Sequence, residues 1–158
     1  MTAEELKEIM AKPITATGTV EITAAKGADG NEDSNANKRM TITAYNGGLM
    51  SVGWDRPVGI ELSGVSWRGD NAVPILCLHN TYSIDAICGQ AKLIEVRGNS
   101  LVVEADFMPV SDQAKKIHEL AKAGYKFQAS VGVTSTDTLV VAEGEKATLN
   151  GAEVEGPC

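Results

Sequence analysis

Two histidines, His79 and His118, and three cysteines, Cys77, Cys88 and Cys158, are the scarce reactive side chains of this 158-residue sequence. Histidine takes up and releases protons near neutral pH, so each His is a first candidate for acid–base chemistry. His79 closes the apolar run Ile75-Leu76-Cys77-Leu78-His79. Read as a strand, the run sets Ile75, Cys77 and His79 on one face and Leu76 and Leu78 on the other. A His at the end of a buried strand is held rigidly while its ring reaches a cleft, as a general base requires. The plain alternative is a strand-end His bonded to a loop carbonyl. Ser130 lies in Phe127-Gln128-Ala129-Ser130-Val131-Gly132. Alternation groups Phe127, Ala129 and Val131 and turns Ser130 to the other side with Gln128 and Gly132. Gly132 permits close approach of a substrate or another backbone. A serine hydroxyl becomes a nucleophile once an adjacent base takes its proton. The bland alternative is a serine on a solvated strand face.

Other arrangements carry less. Cys77, His79 and Cys88 have the spacing C-x-H-x8-C, which fits no structural zinc pattern and lacks a fourth ligand. Cys77 is poorly placed as a nucleophile for His79, because residues two apart on one strand face project in parallel. His118 falls about 100° of helical rotation from the centre of an apolar helix face, bordering the core side, and reads as a surface histidine. No metal or organic cofactor is expected.

The elements that must position these residues follow from pattern. Residues 2–11 read as a short capped helix ended by Pro13. Residues 14–25 read as a strand, and 27–38 as a polar mobile loop. Residues 39–45 alternate, with Met40, Ile42 and Ala44 on one side. Residues 58–62, 74–79, 126–133 and 138–142 read as further strands. Residues 91–96 and 101–107 form the arms of a hairpin. Residues 112–123 make the best helix, with Ser111 as its N-cap and Gly124 at its end. Asn150-Gly151 is a hairpin turn between 147–149 and 152–154. Many strands and one good helix predict an α+β fold: a mainly antiparallel, barrel-like β core ringed by a few helices.

Composition bounds the function. Hydrophobic residues make up 43% and aromatics only 4%, so aliphatic side chains must fill the core. No apolar run approaches the ~20 residues of a membrane span, and the acidic N-terminus has no secretory pattern. A net charge of −7 argues against a nucleic-acid surface and suits a basic protein partner. An odd cysteine count without an export signal favours free thiols.

Taken in order, the segments RMTITAYNGG, PILCLHN, CGQAKLIEVRGNSLVVEADF, DQAKKIHELAKAGYKFQASVGV and LNGAEVEGP resemble the prohead proteases of tailed phages, across Arg39 to Pro157. The resemblance implies a fold similar to the herpesvirus assemblins. It implies a serine endopeptidase of capsid maturation that cleaves scaffold and capsid-protein segments and itself. Carried over, Ser130 is the nucleophile and His79 the base. The partners implied are capsid and scaffold proteins, with self-association, and the place of action is the assembling procapsid in the host cytoplasm. Residues 1–38 are then an N-terminal extension and 39–158 the protease domain, expected to be truncated at its C-terminal end. The third member of a triad is not evident: Asp85, Asp137, Glu143, Glu145 and Glu155 qualify by type only. The alternatives are a non-catalytic scaffold or capsid-assembly module on the same fold, and a β-barrel binding domain unrelated to phages.

Overall fold

A computed structural model describes residues 14–23, 38–51, 56–67 and 73–158. The predicted helix over 2–11 and residues 27–37 of the predicted 27–38 loop lie outside the described residues, and Lys38 opens a strand. Among the described residues there are eight strands: β1 (Ile14–Thr23), β2 (Lys38–Tyr45), β3 (Pro74–Leu76), β4 (Ile87–Arg97), β5 (Ser100–Phe107), β6 (Phe127–Val133), β7 (Lys146–Leu149) and β8 (Ala152–Glu155). One α-helix, α1, spans Asp112–Lys122. The expected mainly antiparallel β core is present, and in place of the expected ring of a few helices the described residues hold one α-helix. β3 to β6, β1 and β2 form a single sheet in the order β3-β4-β5-β2-β1-β6, and β7 and β8 pair apart from it.

Burial on one face sets the register. Met40 pairs with Ala105 and Ile42 with Val103 across β2 and β5. These side chains are buried together with Ala44, Leu101 and Phe107. A slip of one residue would turn every one of them to the opposite face. α1 covers this face. Ser111 Oγ accepts the Ala114 N–H at 3.1 Å, and Ala114 is fully buried in the same core. β1, from the segment read as an N-terminal extension, sits between β2 and β6. β2 and β6 approach within 8 Å across it. That is less than twice the ~4.8 Å strand spacing, so the sheet coils sharply here. The coil does not close: among the described residues β3 and β6 remain as edges. The expected barrel is an open, curled sheet.

Two further expectations are corrected. Of 58–62, only Val58 forms a β-bridge, to Met50, and Leu62–Gly64 is a 3-10 turn capped by Glu61. Residues 138–142 form no strand. Val141 exchanges both backbone hydrogen bonds with Cys158, and Ala142 donates its N–H to the Glu145 carboxylate at 3.2 Å. In both segments backbone groups find partners outside any strand ladder, among them Tyr45 Oη for Ile60, Asn150 Oδ1 for Leu62 and Cys158 for Val141, so the apolar pattern needs no ladder.

Asn150 ties these irregular segments together. It occupies a left-handed conformation, φ 50°, ahead of Gly151 at φ 81°, as a tight hairpin turn requires. Its Nδ2 donates to the carbonyls of Gly47 at 2.9 Å and Ile60 at 2.8 Å. Its Oδ1 accepts the Leu62 N–H at 2.7 Å. Tyr45 Oη adds a second tie, accepting from Ile60 N–H at 3.0 Å and donating to the Gly48 carbonyl at 2.7 Å. Asn150→Gly keeps the turn conformation and removes only the side-chain bonds. It is expected to lower unfolding stability by about 2–4 kcal/mol, measured by urea denaturation.

Candidate active site

Ser130 sits at the middle of β6, opposite Thr17 of β1. Ala129 and Val131 pack against the core, so Ser130 projects from the other face, as its alternation requires, and is half-buried. Two residues on, a Cβ added at Gly132 would meet nothing within 4 Å among the described residues. Gly132 also does not take a left-handed φ. Among the described residues neither packing nor backbone conformation demands glycine there, and nothing fills the space at Gly132.

His79 is placed differently from its prediction. β3 ends at Leu76, and Cys77–His79 is a 3-10 turn closed by the Asn80 N–H on the Cys77 carbonyl at 3.2 Å. The register shifts between Ile75 and Leu76, and Leu78 adopts φ 57°, ψ 27°. Strand alternation therefore does not extend to His79. The turn leaves Cys77 buried and Leu78 92% exposed. The His79 side chain lies outside the described residues. In strand order, the His79 turn follows one edge strand and Ser130 lies on the other.

The acidic residues considered for a triad are each engaged nearby or exposed. Asp137 caps the Thr138 N–H at 2.8 Å, and Glu145 accepts from Ala142. Asp85 stands exposed in the 3-10 turn Ile84–Ala86, and Glu143 and Glu155 are exposed. His118 is not a surface residue. Its side chain is 12% exposed, its ring lies 6.0 Å from that of Phe107, and Nδ1 is 3.3 Å from Glu119 Oε1. The helix projection put it at the border, and Phe107, at the end of the preceding strand β5, packs against that border.

Sequence reasoning missed two neighbours of the His79 turn. The first is a thiol pair. Cys77 and Cys88 are both buried and unbridged. Burial, with the adjacent Cys77 thiol adding to it, pushes the Cys88 thiol up to about 12, and its Sγ lies 3.4 Å from the Ile75 carbonyl. Among the described residues no three His, Cys, Asp or Glu side chains gather as for a metal ion. The second is a shallow apolar groove of about 260 Å³ between β3 and the following loop, lined by Pro74, Leu76, Tyr82, Ile84 and Ile87 with polar residues between them. Its signal was in the sequence: Tyr82 and Ile84 stand in a loop where no strand pattern accounts for them.

No protein-family model, curated protein or solved structure matches the chain. Among the described residues no helix is long and apolar enough to cross a membrane.

The thiolate is the nucleophile in alkylation, so a buried thiol titrating near 12 reacts slowly at pH 8. Brief iodoacetamide treatment of the native protein is expected to leave Cys88 unmodified, and treatment in denaturant to modify it. Peptide mass spectrometry reads both.

Proposed function

We propose that the chain is a serine endopeptidase of the prohead-maturation type on a herpesvirus-protease-like fold, with Ser130 as nucleophile and His79 as general base. The observation that carries the reading is the setting of Ser130. It is directed away from the core by its strand neighbours and held half-buried beside a Gly132 that leaves open space. A hydroxyl on a regular interior of a strand is fixed in direction, and the gap at Gly132 admits the backbone of a substrate.

In the proposed reaction Ser130 Oγ attacks the scissile carbonyl carbon while His79 accepts the hydroxyl proton. The C–N bond breaks as His79 returns that proton to the leaving amine. Water then attacks the acyl ester, losing a proton to His79, which passes it to Ser130 Oγ as the ester C–O bond breaks and the acid product leaves. Main-chain N–H groups near Ser130 or from a later loop would supply oxyanion donors. The substrates on this reading are scaffold and capsid-protein segments and the chain itself, inside the assembling procapsid in the host cytoplasm. The net charge of −7 suits docking to a basic capsid-protein surface.

A fluorophosphonate probe tests the pair directly, since it forms an ester with an activated serine. Expected is one adduct on Ser130 by peptide mass spectrometry, none in Ser130→Ala, and labelling slowed at least about a thousandfold in His79→Ala. An unlabelled Ser130 in the folded parent would leave the non-catalytic assembly module as the function.

Gly132→Ala separates structure from chemistry. Relief of glycine's entropy in a strand is expected to hold or raise stability, by up to about 1 kcal/mol in thermal unfolding. The added methyl beside Ser130 is expected to slow cleavage of a polypeptide substrate.

A further inference from the structure

We propose that the groove beside the His79 turn is a subsite for one uncharged apolar side chain of an extended polypeptide, whose backbone pairs with the free edge of β3. The choice of a polypeptide as occupant rests on the protease reading, and four observations support it. Among the described residues β3 is an edge strand. The Val73 carbonyl accepts from Ala91 N–H at 2.9 Å, and the Ile75 carbonyl also faces β4, 3.4 Å from Cys88 Sγ. Alternation then turns the Pro74 carbonyl and both the N–H and the carbonyl of Leu76 to the open side, where an added strand would find them.

The groove borders that edge, and among the described residues no charged side chain lines it. Its exposed wall is apolar: Tyr82 is 100% exposed and Ile84 81%. Clustered apolar exposure of this kind marks an interaction site. Its size selects the occupant. About 260 Å³ is smaller than the ~300–1,000 Å³ of pockets that enclose a cofactor or drug-sized molecule. A single side chain on an extended segment fits within that volume. The groove also adjoins the Cys77–His79 turn, so a residue held there lies along the chain from the bond that His79 would serve.

The test uses Ser130→Ala protein with labelled Ile and Leu methyl groups and blocked pentapeptides Ala-Ala-Leu-Ala-Ala and Ala-Ala-Asp-Ala-Ala. The leucine peptide is expected to shift the methyl signals of Leu76, Ile84 and Ile87 and to bind at least about tenfold more tightly than the aspartate peptide. Ile84→Asp, at an exposed position where folding does not depend on the side chain, is expected to weaken the leucine peptide about tenfold or more. Absent shifts at these methyls, or equal affinity for both peptides, overturns the subsite. Fluorophosphonate labelling of the parent judges the protease reading separately. Labelling without peptide binding rejects the groove alone, and binding without labelling keeps the groove and rejects the protease.

Discussion

One-sided burial of the sheet governs the rest of the molecule. Met40, Ile42 and Ala44 of β2 and Leu101, Val103, Ala105 and Phe107 of β5 share a dry face closed by Ala114 of α1. The pleat permits only two directions, so each residue sent inward fixes its neighbours outward. Ser130 points where it does because Ala129 and Val131 must reach the core. Its direction is set by hydrophobic register, and only its chemistry is its own.

The parts of the fold legible in the sequence are those decided locally. β2, the β4–β5 hairpin, α1 with its Ser111 cap, β6 and the Asn150-Gly151 hairpin all stand where period and turn chemistry put them. Closure of a barrel is not a local property, and the open edges at β3 and β6 follow from long-range geometry that periodicity does not encode. The run ending at His79 misled because left-handed turns are expected at Gly or Asn, and here Leu78 takes one. The burial of His118 comes with the packing of its helix against Phe107 of the preceding strand, which helical periodicity does not encode. The outward direction of Ser130 was legible from alternation, and the conformation around His79 was not.

A core with few aromatics gains its definition partly from polar ties. Tyr45 is almost wholly buried, and its hydroxyl lies between Gly48 and Ile60. Burial holds this phenol above its usual range, with the Ile60 N–H opposing that shift. The contribution is therefore present at neutral pH and declines as alkali first ionises the unfolded chain's tyrosine and then the folded one. Asn150 does similar work at the junction of residues 47, 60 and 62. These bonds give irregular segments a single arrangement where interlocking rings would otherwise do so.

The same asparagine bears on how the protein ages. In an Asn-Gly sequence the glycine N–H is unhindered and attacks the side-chain amide, expelling ammonia and leaving Asp or isoAsp. Here the leaving nitrogen is held by two carbonyls and the amide oxygen by a backbone N–H, so the folded state resists cyclisation. Once that amide is lost, a carboxylate faces the Gly47 and Ile60 carbonyls, with Glu61 close by at 3.1 Å from the Asn150 nitrogen. Acceptors then oppose acceptors where donors stood. Each unfolding excursion exposes the residue to a chemical change that makes the next excursion easier, so the shelf life of the chain is coupled to its own stability through one side chain.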